Sequence, residues 1–231
     1  MQIVDEIGKS IVRGDRQAGD TFPSEPELGV QLGVSRTVIR EAIKILGEKG
    51  LVESHVKTGA QIQPRHKWNL LDPDILAWEY DAGPRDAFLY KLSEVRRVIE
   101  PSAAKLAAIR ATDDEISFIE QAYQQMAANL NDIDAFINAD MQFHAGIVKA
   151  SHNEILEQIV NTIREALVAS RKVTLQLPNS GYESLPQHYA IWVAIKEHDE
   201  VAAQNAMEAL INSVKTDLDR SIELIETPPE G

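Results

Sequence analysis

Asp140 and His144 stand four residues apart in a stretch whose apolar residues, Ile133, Phe136, Ile137, Phe143, Ile147 and Val148, recur at helical spacing. At about 100° per residue both polar groups fall in line with the apolar stripe instead of on its wet side. His188 interrupts a second stripe, three, four and seven residues before Ile191, Trp192 and Ile195, and Arg96 interrupts a third between Leu92 and Ile99. A carboxylate, a guanidinium and two imidazoles aimed at an apolar core cost several kcal/mol unless they are paired, hold a metal or face a wet cavity. Asp140, His144 and His188 offer one carboxylate and two ring nitrogens, a ligand set suited to zinc, nickel or manganese. Arg96 offers a planar fork to the carboxylate of a small anionic ligand. The ligand-site expectation is therefore Arg96, Asp140, His144 and His188, with the last three as metal ligands. Two plainer readings fit the same residues: satisfied core histidines, and an ion pair between Asp140 and Arg96. His152 and His198 fall in loops or off the stripes and read as surface residues.

A second cluster has different chemistry. In VSRTVIREAIKIL, residues 34–46, Arg36, Thr37, Arg40, Glu41 and Lys44 share one side of a helix. Val38, Ile39, Ala42, Ile43, Ile45 and Leu46 share the other. A helix fits the major groove of DNA, where arginine can donate two hydrogen bonds to guanine while its neighbours hold phosphates. Two arginines on an exposed face are also ordinary solvated charge. What favours DNA is the setting: a short helix before, a turn at Gly33, a cap at Ser35, and a hairpin after it with Lys57 and Gly59. The expected contact set on double-stranded DNA is Arg36, Thr37, Arg40, Lys44, Lys57 and Gly59.

These residues need elements to position them. The spacing predicts a helix over about residues 2–13 ending at Gly14, a short one from Pro23 and Ser24 to Gly33, and a third from Ser35 to Gly50. LVESHV and AQIQP then alternate like strands around KTG, a hairpin with Gly59 at its tip. Residues 1–63 thus read as a winged helix-turn-helix domain. Residues 64–84 hold three prolines and two tryptophans and read as a semi-rigid linker that packs on something. From 85 to 226 the breaks at ATDD, NLND, SHNE, LPNSGYESLPQ and EHDE give an all-α bundle of about six helices, one of them carrying Ile155, Ile159, Ile163 and Val168 on a single stripe. The fold class is mainly α.

Composition sets the bounds. The 231 residues carry a formal net charge of −13, yet up to Lys67 ten lysines and arginines meet nine acidic residues, while the remainder holds 13 against 27. The acidic half would repel a phosphate backbone and leave the other end to meet it. Without cysteine there are no disulfides, cysteine zinc sites or thiol nucleophiles. No apolar run of 18 residues and no apolar N-terminal stretch are present, so the expectation is a cytoplasmic protein without a membrane partner.

The stretch GDTFPSEPELGVQLGVSRTVIREAIKILGEKGLVESHVKTGAQI resembles the GntR family of bacterial transcription regulators. It has the same order of glycine-aspartate, proline-serine-glutamate, Val-Ser-Arg-Thr, Arg-Glu-Ala and glycine-tipped wing. Many members carry a DNA-contacting arginine where this chain has Pro26. Further on, SEVRRVIEPSAAKLAAIRAT, ADMQFHAGIVKASHNEILEQI and HYAIWVAIKEHDEVAAQNAMEALI resemble the FCD ligand-binding domain of the family's fatty-acid-regulator branch. Metal-binding members of that branch place an aspartate four residues before a histidine and then use two more histidines. Asp140, His144 and His188 match the first three, and Leu210 stands at the fourth. KWNLLDPDILAW with SEVRRVIEP is similar to the subgroup that represses D-galactonate operons. The resemblance implies a homodimer on a palindromic operator, a small carboxylate effector of the sugar-acid class, and repression released by that effector. No residue is assigned a catalytic role. The alternative is a metal-dependent enzyme acting on a small sugar acid, with Asp140, His144 and His188 as ligands and Glu100 as the acidic group near Arg96. H-E-x-x-H is absent.

Overall fold

A computed structural model of the chain describes residues 2–55, 59–82, 85–175, 177 and 180–226. The chain divides into two compact units, Met1–Phe88 and Leu89–Gly231.

In the first unit, α1 (Gln2–Arg13) buries Val4, Ile7, Ile11 and Val12. α2 (Glu25–Leu32) starts in a capping box: the Ser24 backbone N–H and hydroxyl both donate to Glu27 Oε2, at 3.0 and 2.7 Å. It ends at Gly33 in the left-handed region, φ +66°. α3 (Arg36–Glu48) is capped by Ser35 Oγ, which accepts from the Val38 N–H, and its buried face is Ile39, Ala42, Ile43 and Leu46. Val38, expected on that face, is 43 % exposed. It sits at the border of the stripe, beside an open groove between α1 and α3.

Gly50, at φ +76°, turns the chain into β1 (Val52–His55), which pairs antiparallel with β2 (Gly59–Ile62) in the register Val52 to Ile62. Gly59 lies opposite His55 and opens β2. Lys57, with the rest of 56–58, lies outside the described residues. Residues 19–22 run along β2: Phe22 N–H donates to Ala60 O and Ile62 N–H to Asp20 O.

The stretch after the wing is built into this unit. α4 (Pro73–Ala82) buries Ile75 and Trp78 in the same core as Val4, Ile39 and Ile62. The Trp78 indole N–H donates to Asp5 Oδ1 at 2.6 Å, and its ring covers Gly8. Lys49 Nζ reaches Asp72 Oδ1 at 2.8 Å and Asp74 Oδ2 at 2.7 Å.

The second unit is helical throughout its described residues, from α5 (Arg85–Arg110), which begins in the first unit, through α6 (Asp113–Ala128), α7 (Ile133–Ala150), α8 (Glu154–Thr162), α9 (Arg164–Thr174) and α10 (Ser180–Lys196) to α11 (Glu200–Glu226). Its core joins Ala104, Ala107 and Ala108 of α5 to Ile119, Met126, Phe143, Ile147, Ile191, Ile195 and Leu210. Alanines at the α5 contact let its neighbours approach closely. The stripe from Ile155 to Val168, expected on one helix, is split. Ile163 buries its side chain at the joint of α8 and α9 with φ −92° and ψ 4°, while Ile155 is 69 % exposed. Ile163 has left helical dihedrals, so the residues after it change phase. His152 and His198 follow α7 and α10 at positive φ. Both are exposed, and the His198 Nδ1 lies 2.8 Å from Ala108 O.

Two glycines test this reading of the first unit. Gly33→Ala places a methyl in open space at positive φ, a penalty of about 1–2 kcal/mol. Gly50→Ala adds a Cβ 2.3 Å from the Lys67 carbonyl oxygen on top of the same strain. Urea unfolding is expected to show the larger loss of stability for Gly50→Ala; equal losses would contradict this packing.

Candidate functional site

The apolar stripes of the second unit converge on one polar centre. α7 supplies Asp140 and His144, α10 supplies His188, α5 supplies Arg96 and Glu100, and α9 supplies Arg171. All six are at most 6 % exposed. Arg171 Nε donates to Asp140 Oδ2 at 2.7 Å, and its Nη2 donates to His144 Nε2 at 3.2 Å. His188 spans from the Ser184 carbonyl oxygen, 2.8 Å from Nδ1, to Asp140 Oδ1, 3.1 Å from Nε2. On the far side of His144, Nδ1 lies 2.8 Å from Glu100 Oε2, close enough for an ion pair but off the line of a directed hydrogen bond. Arg96 grips Glu100 with Nε at 2.5 Å and Nη2 at 3.3 Å. Phe143 closes the centre edge-on to both imidazoles, with ring centroids 5.7 and 5.1 Å away.

The charges explain why the cluster holds. Burial pushes both carboxyls up, but Arg171 and His144 hold Asp140, and Arg96 and His144 hold Glu100, well below the usual carboxylate range. Burial pulls the two imidazoles down. For His144 the carboxylates of Glu100 and Asp140 outweigh it and the net shift is upward; for His188 burial outweighs Asp140 and the net shift is downward. The two guanidiniums and the two carboxylates balance within the protein interior.

The four residues singled out in the sequence, Arg96, Asp140, His144 and His188, thus come together. One partner was not foreseen: Arg171 takes the position beside Asp140 that the sequence reading offered to Arg96, while Arg96 is engaged by Glu100, the acidic group read as lying near it. One ligand atom from each of Asp140, His144 and His188 lies within 4.8 Å of the others, as a bound metal would require. Two of those residues, however, already accept hydrogen bonds from Arg171. Leu210, where the resemblance puts a fourth ligand, is fully buried and carries no donor atom. A narrow cleft, mostly too tight for solvent, runs from this centre; Arg96, His144, Asn161, Arg164 and Arg171 are among its lining residues. Asp140 and His188 are not among them.

In the first unit Arg36, Thr37, Arg40 and Lys44 lie exposed on α3, and Gly59 is exposed at the start of β2. Glu25 of α2 binds both arginines: Arg36 Nε at 2.8 Å and Arg40 Nη2 at 3.2 Å meet the same Oε2. Those two hydrogen bonds lower the Glu25 pKa. Pro26, at the first turn of α2, is exposed and adds no charge there.

Removing one partner of a buried ion pair leaves an uncompensated charge. Asp140→Ala is therefore expected to lower the unfolding free energy by about 3–5 kcal/mol. Lys172→Ala, which breaks an exposed pair with Asp134, should leave it unchanged. Chemical denaturation of the two variants beside the parent decides; a small loss for Asp140→Ala would mean that Arg171 is solvated.

Comparison with known proteins agrees with this architecture. Residues 1–62 match the model of bacterial regulatory proteins of the gntR family, and residues 91–213 match the FCD domain. The galactonate operon transcriptional repressor of Escherichia coli (strain K12) is 36 % identical, over 92 % of this chain and 93 % of its own. A putative L-lactate dehydrogenase operon regulatory protein of the same organism is 31 % identical, over 95 % of this chain and 86 % of its own. Among solved structures, that of Streptococcus agalactiae GntR superposes with a TM-score of 0.54 at 26 % identity, covering 93 % of this chain and 98 % of the other. A winged helix, a helical unit with a buried polar centre, and likeness along nearly the whole chain lead to one conclusion: the chain belongs to the gntR family of bacterial transcription regulators, in the branch that carries an FCD domain.

Proposed function

We propose that this chain is a ligand-responsive repressor of a sugar-acid operon, with D-galactonate or a close relative as effector. The observation that carries the effector class is the cleft beside the buried centre. Arg96, His144, Asn161, Arg164 and Arg171 are among its lining residues, beside the apolar Met141, Val148, Val160 and Leu167; the polar groups of the first five suit a carboxylate bearing several hydroxyls once the cleft opens. The similarity to a galactonate operon repressor supports the same class. Of the effector residues read from the sequence, Arg96 and His144 line the cleft together with Arg171, while Asp140 and His188 stand behind them, Asp140 holding Arg171 and His188 holding Asp140. Catalysis has no place in this reading: Glu100, the acidic group beside Arg96, is committed to ion pairs.

On the DNA side, α3 enters the major groove with Arg36 and Arg40 toward base edges and Thr37 and Lys44 toward the backbone, while Lys57 and Gly59 of the wing approach phosphate. A homodimer in the cytoplasm would place two such helices on a palindromic operator with half-sites about one DNA turn apart. The narrow cleft suggests how the switch works. A polyhydroxy acid does not fit until α8 and α9 draw away from α7, so the effector binds an opened state better and shifts the population toward it. Repression ends if the opened state docks poorly on DNA.

Titration of operator DNA by fluorescence anisotropy, with and without D-galactonate, tests the proposal; a complex indifferent to D-galactonate and to related aldonic acids would overturn it. Arg40→Ala is expected to lose operator-specific binding while its affinity for the effector, read by calorimetry, stays intact; loss of both would contradict separate roles. His144→Ala should bind operator as the parent does and need a much higher effector concentration for release. Operator affinity should fall steeply between low and moderate salt, because cationic side chains displace counterions from phosphate.

A further inference from the structure

The buried centre holds its own cation. Of the three residues placed to hold a metal, two are already engaged by one side chain: Arg171 donates to Asp140 Oδ2 and to His144 Nε2. The third, His188, uses Nε2 toward the other oxygen of Asp140. A metal bound by the same three residues would have to displace the guanidinium first. The charge balance points the same way. Among the described residues each carboxylate of the centre is already matched by a guanidinium, Asp140 by Arg171 and Glu100 by Arg96, so an added divalent ion would bring two positive charges into a low-dielectric site whose carboxylates are already paired. Leu210 contributes no fourth donor. Access agrees as well, since Arg171 lines the cleft whereas Asp140 and His188 do not.

We propose that Arg171 is the built-in cation of this centre, its guanidinium taking the place between Asp140 and His144 that a divalent metal would need, so that the domain works without metal. The exclusion of metal does not depend on the effector reading above.

The full chain, treated with chelator and dialysed, is titrated with zinc, nickel or manganese, and two quantities are read: metal retained after desalting and the midpoint of thermal unfolding. The parent is expected to retain far less than one equivalent and to show no shift in midpoint. Arg171→Gln, which empties the cationic position but keeps a hydrogen-bonding side chain, is expected to retain about one equivalent of zinc and to unfold several degrees higher in its presence, as ligand linkage requires. The double variant Arg171→Gln, His188→Ala should lose that gain. Stoichiometric, chelator-removable zinc in the parent overturns the proposal whether or not the variants fold. So does a folded Arg171→Gln that takes up none, or zinc retained in the double variant. Neither DNA nor sugar acid enters these measurements, so their failure is separate from failure of the operator titration. A second arm joins them: if the parent releases operator on D-galactonate, it should do so equally with chelator present, and a response abolished by chelator would also overturn the proposal.

Discussion

The pairing of Asp140 with Arg171 is the contact on which the helical unit depends. Neither group could stay charged alone where both are nearly sealed from solvent. Paired at 2.7 Å, and with His144 and His188 taking up their other lone pairs and protons, they remain ionised and tie α9 and α10 to α7. The Arg96–Glu100 pair is laid down within one turn spacing of α5 and reaches α7 through His144. The centre is therefore a chain of contacts running from α5 through His144 and Asp140 to His188, with Arg171 set between the two α7 residues. Displacing any helix by a few ångströms separates a charge from its partner. Packed alanines, phenylalanines and leucines around it would tolerate many registers; the ion pairs tolerate few.

Much of this was legible in the sequence, and the reason is geometric. A polar residue in line with an apolar stripe betrays a buried polar site whatever the rest of the fold does, and Arg96, Asp140, His144 and His188 each do so. Arg171 does not. It stands next to Lys172 in the last turn of α9, where two adjacent basic residues read as solvated charge favoured by the helix C-terminus; in the structure one is buried and the other exposed. The break at Ile163 hides it further, because a stripe carried across that joint assigns the wrong face to everything after it. Burial, not type or spacing, distinguishes Arg171, and burial comes from contacts between helices far apart in sequence.

The same division runs through the first unit. Its turns are written locally: Ser24 with Glu27, Gly33, Ser35 and Gly50 each fix a boundary through their own backbone or the next residues. The role of the stretch after the wing is not local. That Trp78 would pack on Gly8 and donate to Asp5 involves residues roughly seventy positions away, and nothing in LLDPDILAWEY names that partner beyond the presence of an aromatic ring that must be covered somewhere. The exposed Val38 is a smaller case of the same kind, since residues at the edge of an amphipathic stripe are buried or left open according to the neighbour that arrives.

Glu25 lies between Arg36 and Arg40. One carboxylate steadies both long side chains of the α3 face, so in the absence of any ligand Arg36 and Arg40 are already drawn into a common orientation about a negative centre. A polyanion docking on this face, as proposed above, would not have to recruit two wandering side chains; it would exchange one anionic partner for another. In such an exchange the release of condensed ions from the polyanion would add to the drive, and the internal carboxylate would be a stand-in that shapes the surface for what replaces it.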